Sequence, residues 1–321
     1  MATHRIGNIG FHVSPVSIMQ CWVGTGWRAT GSAKQIEEFD TFSREFFPFL
    51  IEQDCGMRIH AFCADAVVKM DEIIDRRELQ TEFVLRFVQR LKGRLRTGNQ
   101  ERVAQLSVEY SERLQHWLDS AVGRCAGEAA AQIEEWGLQL PDRGLAAIGA
   151  FGSAVFGQYV HGLKAVCVQL DVIALSASPA AQFLETLFHE GIHAAIDRAM
   201  GADDTRSELT WLNELCAVLT SQEALRVAAA KFLRAAEKDN LNTALRHIRS
   251  TQKYGELAEA VARDTGNPLV ALEAWKRVFA LPATERHDYA RERVIQPILH
   301  EAGWNVEFPY RYGNKSVTVF V

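Results

Sequence analysis

Residues 178–201 constrain the fold of this chain more than any other stretch. Ser178 followed by Pro179 is an N-cap with proline at the first helical position, where the missing N–H has no cost. Apolar residues then recur at Phe183, Leu184, Leu187 and Phe188 with a helical period, and Gly201 after Met200 supplies a stop. The pattern predicts a helix of about 20 residues with recognisable ends. Inside it lies His189-Glu190-Gly191-Ile192-His193. A helix turns about 100° per residue, so the two imidazoles project from one face, roughly 6 Å apart along the axis, and both can reach one metal ion. Glu190 sits one step around, too far to be a comfortable third ligand but placed to take a proton from a metal-bound water. That is the general-base position of an HExxH hydrolase.

A catalytic zinc ion takes three protein side chains and keeps one open position, so one ligand remains to be found. Positions 196 and 199 are Ile196 and Ala199, which removes the metzincin pattern of a glycine turn followed by a further ligand. Asp203 or Asp204 would suit an aspzincin-like arrangement, and Glu208 another register; none carries a matching local motif. Residues 208–219 read as a second helix with Leu212, Leu215, Cys216 and Leu219 on one face. Glu214 is an acid embedded in this apolar segment, and a buried carboxylate needs a partner because stripping its water costs several kcal/mol.

Trp211-Leu212-Asn213-Glu214 with Ala217 resembles the Trp-Leu-Asn-Glu-x-x-Ala motif that carries the third zinc ligand in gluzincin metallopeptidases related to the neutral aminopeptidases. The resemblance spans residues 165–221, about a sixth of the chain. It implies His189, His193 and Glu214 as ligands of Zn2+, Glu190 as the base, and a zincin-like catalytic core. Two departures from the family pattern stand out. The acid that often follows the ligand glutamate by four residues is Val218 here, so a carboxylate orienting a histidine must come from elsewhere, with Asp171, Asp197 and Glu208 as candidates. No Gly-x-Met-Glu-Asn segment precedes the motif, so aminopeptidase specificity is not supported.

The family also places a Tyr or His well after the glutamate ligand to stabilise the tetrahedral oxygen. His287 and Tyr289 lie at a suitable remove, with Tyr254, Tyr310 and Tyr312 as rivals. Upstream, residues 165–175 are rich in β-branched side chains and read as a strand, either internal or an edge that pairs with an extended peptide.

At 321 residues the chain is long enough for one or two domains. Residues 1–32 contain short β-like stretches, 32–136 are strongly helical, 137–162 are rich in loops, and helix returns from 208 to about 281, with a further helix near 286–301 and a β-like tail at 316–321. The expected fold is α+β and predominantly helical: a helical region over residues 1–140 and a zincin-like metallopeptidase domain over 141–321, with a small sheet beside the HExxH helix.

Lys and Arg number 35 against 40 Asp and Glu, a net charge of −5, so no global field draws the chain to nucleic acid or an anionic membrane. The basic cluster Arg86, Arg90, Lys92, Arg94, Arg96 and Arg102 reads as a solvated helix face. Six cysteines without CxxC spacing suggest reduced, buried thiols. With no secretory signal at the start and no run of transmembrane length, the expected location is the cytoplasm; an effector exported by a specialised machine would lack both features as well. Gly24-Thr25-Gly26-Trp27-Arg28-Ala29 matches a GxGxxA fingerprint, but no alternating strand and helix series follows it. The expected partner is a peptide or protein substrate, and the expected activity is zinc-dependent peptide-bond hydrolysis. The alternatives are a zinc-braced binding protein without activity, and an amidase acting on cell-wall peptide.

Overall fold

The structure is a computed structural model that describes residues 2–25, 32–53, 58–151, 155–200, 210–252, 254–280, 311–312 and 315–316. A two-residue loop, Gly7-Asn8, turns strand β1 (Ala2–Ile6) back onto β2 (Ile9–Val13), with Ile6 opposite Ile9. Gly7 has φ 58°, the conformation such a tight turn needs and glycine adopts without strain. β3 (Arg143–Ala147), β4 (Gly157–Val160) and β5 (Ala165–Gln169) complete a mixed sheet of order β1-β2-β3-β5-β4. Its inner pairs, β2 with β3 and β3 with β5, are parallel, and its outer pairs are antiparallel. All five residues of β5 are buried, as a strand covered on both faces requires. Gly144 lies opposite Phe11, and a Cβ there would fall 2.4 Å from the Phe11 ring, so the missing side chain is what admits the phenyl group.

The chain divides into two compact units: residues 1–117 with 141–179, and the described residues of 118–140 with those from 180 onward. Both units draw chain from either side of residue 140. The first contains the sheet and helices α1 (Pro15–Thr25), α2 (Ala33–Glu52), α3 (Ile59–Arg77), α4 (Glu82–Arg94) and most of α5 (Thr97–Asp119). Phe39, Phe42 and Phe46 line one face of α2, and Phe39 meets Phe87 of α4 edge-on at 5.1 Å between ring centroids. The basic residues of α4 are partly neutralised locally, Arg86 by Glu82 and Lys92 by Asp71.

The second unit contains α6 (Ala126–Glu135) and, after the short α7 (Leu170–Ile173) of the first unit, α8 (Pro179–Met200), α9 (Thr210–Phe232), α10 (Ala235–Thr251), α11 (Gly255–Thr265) and α12 (Val270–Phe279). α9 packs against α6, α10, α11 and α12. Residues 215–222 are accordingly buried all round, not along the single face that its leucines predict. A short β6 (Arg311–Tyr312) pairs antiparallel with β7 (Lys315–Ser316).

The described residues are thus α+β, mostly helical with one small mixed sheet. Two further sequence expectations change. The segment 165–175 is strand only to Gln169 and then turns helical, with Ala174 N–H bonding the Leu170 carbonyl; a short apolar run fits either state until tertiary contacts decide. Strands β3 and β4 occupy the stretch read as loop. Gly24 belongs to helix α1, in keeping with setting the GxGxxA match aside, and its bare Cα lets Leu163 approach to where a Cβ would sit 2.6 Å away. The helix expected near 286–301 lies outside the described residues. Five cysteines, Cys21, Cys63, Cys125, Cys167 and Cys216, are free and buried, and burial pushes the Cys63 and Cys216 thiols up to about 12. No helix among the described residues is long and apolar enough to cross a membrane.

Candidate metal centre

α8 begins at Pro179, where the Ser178-Pro179 pair predicts it, and buries Phe183, Leu184, Leu187, Phe188, Ile192 and Ile196. Each such side chain removed from water contributes about 1.5–3 kcal/mol, which fixes the helix's rotation. The residues left on the facing side are Glu185, His189 and His193, at i, i+4 and i+8. α9 brings Asn213, Glu214 and Ser221 against them. Asn213 contacts His193, Glu214 contacts both histidines, and Ser221 contacts Glu185, so the pairs run in opposite order along antiparallel helices.

Three atoms converge. His189 Nε2 lies 3.0 Å from His193 Nε2, and Glu214 Oε2 lies 3.4 Å from the first and 3.6 Å from the second. The point equidistant from all three is about 1.9 Å from each, close to the roughly 2.0–2.2 Å of Zn–N and Zn–O bonds. Among the described residues, this is the group of three His, Cys, Asp or Glu side chains whose ligating atoms come together, all within 4.8 Å. Two imidazole nitrogens and one carboxylate oxygen are also the donor set that a borderline divalent cation such as zinc prefers.

The hydrogen bonds explain why these are lone pairs. His193 Nδ1 donates to Asn213 Oδ1 at 2.7 Å, which fixes the tautomer and leaves Nε2 free to accept. Two such nitrogens and a carboxylate facing one another repel unless a positive charge sits among them. Without metal, that charge is a proton. Burial disfavours a charged His193, but the hydrogen bond with Glu214 and the nearby Glu190 charge outweigh it and raise its pKa to about 9. His189 is shifted the same way against the same burial penalty, chiefly by Glu214. Burial would lift Glu214 as well, yet hydrogen bonds from the two imidazoles hold its carboxyl well below the usual range.

Glu190 is half-buried on α8, and its charge acts on both His189 and His193. Sequence reasoning missed Glu185. It is 1 % exposed, with Oε1 3.7 Å from His189 Nδ1, and it accepts hydrogen bonds from Gln252 Nε2 at 2.8 Å and Ser221 Oγ at 3.4 Å. Burial raises its pKa, partly offset by His189 and Gln252. The signal was present as a carboxylate one turn before His189 inside an apolar helix. Of the carboxylates considered for orienting a histidine, Asp171 accepts from the Gly149 N–H in the other unit, Asp197 is buried near the end of α8, and Glu208 lies outside the described residues.

Five of the named residues therefore come together on two helices: His189, His193, Asn213, Glu214 and, through its charge, Glu190. His287, Tyr289, Tyr310, Asp203 and Asp204 lie outside the described residues, and the Tyr312 side chain does too. Tyr254 is buried at the start of α11. Compared with known proteins, the chain matches no family model, no curated protein and no solved structure.

Proposed function

We propose that the protein is a zinc-dependent peptide-bond hydrolase with a gluzincin-like, zincin-type core, in which His189, His193 and Glu214 hold the metal and Glu190 is the general base. The observation that carries this reading is the triangle of His189 Nε2, His193 Nε2 and Glu214 Oε2, with sides of 3.0, 3.4 and 3.6 Å. A zinc ion held there would supply a water of pKa near 7 and a Lewis acid for the scissile carbonyl.

The protein's own part is orientation and proton transfer. Asn213 holds the His193 ring so that Nε2 faces the other two donors. Glu190 takes the proton of the attacking water on its carboxylate and returns it to the departing amine nitrogen, a role that needs reach and no metal bond. A purely structural four-ligand site would have no use for such a base beside its histidines. For the electrophile that stabilises the developing oxyanion, the sequence offers His287 and Tyr289, both outside the described residues.

Glu190→Gln tests the reading because it keeps size and hydrogen-bonding capacity while removing the basic carboxylate. The variant is expected to retain one equivalent of zinc by elemental analysis and to lose cleavage of a peptide library by about 10²-fold or more. Undiminished cleavage at equal metal content would eliminate Glu190 as the base. Parallel assays on a cell-wall digest identify which amide is cut.

A further inference from the structure

The metal triangle accounts for one nitrogen of each imidazole, and Asn213 accounts for the second nitrogen of His193. The second nitrogen of His189 is left over: Nδ1 is buried and has no hydrogen-bond partner. Buried polar groups almost always find partners, so an orphan beside a metal-binding nitrogen calls for an explanation. Val218, four residues after Glu214, where the gluzincin pattern often has an acid, is apolar and buried.

A carboxylate nevertheless stands next to Nδ1. Glu185 lies one turn before His189 on α8, and its Oε1 is 3.7 Å away. A charge-assisted N–H···O bond measures about 2.7–2.9 Å, so an approach of under about 1 Å, within the range of side-chain torsions, closes the gap. The carboxylate is itself held. Gln252, capping the C-terminus of α10, donates to Oε1 at 2.8 Å, and Ser221 of α9 donates to the same oxygen at 3.4 Å. Three helices thus fix an acid that is 1 % exposed beside an unpartnered imidazole nitrogen.

We propose that Glu185 is the positioning residue of His189: it accepts the Nδ1–H hydrogen bond, locks the ring in the tautomer whose Nε2 is a lone pair, and makes that nitrogen a better metal donor. The two histidines are then oriented differently, His193 by a neutral amide from α9 and His189 by a carboxylate from its own helix. The inference rests on the metal reading above and adds the group that tunes it.

The test compares zinc affinity of the full chain and of Glu185→Gln by competition with a chromophoric chelator. The near-isosteric substitution removes the charge and is expected to weaken zinc binding about 10- to 100-fold. Glu185→Asp keeps the charge one methylene further back and should fall between the two; it also serves if the glutamine variant fails to fold. The melting temperature in excess chelator should not fall in Glu185→Gln, since a buried charge is exchanged for a neutral amide. Long-range 15N spectra of the zinc-loaded wild type should show His189 protonated at Nδ1 with a deshielded proton that the glutamine variant lacks. Zinc affinities of wild type and variant equal within about twofold would overturn the role of Glu185 and leave the metal centre standing. A wild-type protein that binds no zinc would overturn both.

Discussion

On the proposed reading, zinc and protons compete for the same atoms in this site, so metal affinity should climb steeply with pH. In the metal-free protein His193 titrates near 9, because the Glu214 carboxylate beside it favours the charged imidazole. At pH 7 its Nε2 therefore carries a proton that a metal must displace. Two pH units correspond to about 2.7 kcal/mol, so the apparent affinity at pH 7 is roughly 100-fold below that of the fully deprotonated site and roughly 50-fold below that at pH 9, where His193 is half protonated. The sign follows from which state holds the proton: the metal-free protein binds it and the loaded one does not, so raising the pH drives loading until His193 has titrated. Above about pH 9 the dependence on this group flattens. His189, also shifted upward, steepens the curve on the acid side, while Glu214 is already ionised and adds nothing near neutrality. Calorimetric titration with zinc in two buffers of different ionisation enthalpy, repeated across this range, counts the protons released. About one proton per zinc is expected near pH 8 and more below it. An affinity that stays flat between pH 7 and 9, with no proton released, would mean that His193 Nε2 does not face the metal.

Two further perturbations separate the site from the scaffold. Asn213→Ala removes the acceptor 2.7 Å from His193 Nδ1, frees the ring to rotate or change tautomer, and should lower zinc affinity about 10- to 100-fold in the same chelator competition; an unchanged affinity would remove Asn213 from the site. Gly144→Ala places a methyl group 2.4 Å from the buried Phe11 ring, in the other unit, and should cost about 1–3 kcal/mol of stability by thermal or denaturant unfolding; a variant as stable as wild type would show that Phe11 repacks without strain.

What could be read from sequence divides along a physical line. α8 was legible because everything that defines it is local: the Ser178-Pro179 start, the apolar spacing and the His189–His193 interval all lie within 24 residues. Glu214 was legible because a charge inside an apolar helix is costly and demands a partner. Glu185 satisfies the same criterion and was passed over, because its partners are non-local: Ser221 is 36 residues away and Gln252 is 67. The order β1-β2-β3-β5-β4 was illegible for the same reason, since β2 reaches β3 only after more than a hundred residues and no local pattern records that pairing. Leu170 to Ile173 shows the limit from the other side, as β-branched residues that continue a strand by composition form a helical turn by contact.

The burial of α9 explains why the site is assembled from two helices. One helix offers a cation at most the two residues that share a face a turn apart, since a third on the same face lies another 6 Å along the axis, beyond bonding distance of the same ion. The third donor must come from a neighbour whose rotation is fixed, because a few tenths of an ångström decide whether the atoms converge. α9 supplies that rigidity: with helices packed on several sides and residues 215–222 buried throughout, it cannot roll without exposing apolar surface. Glu214, with a side chain 34 % exposed, sits at the end of this buried stretch, where water still reaches the carboxylate. Glu185 lies deeper, against Ser221 and Gln252, where water does not. The same pair of helices thus holds one acid partly wet and one dry, and the difference suits the roles proposed for them: a metal donor beside an open coordination position needs access to solvent, whereas a group that only orients an imidazole is most effective where water does not compete for it.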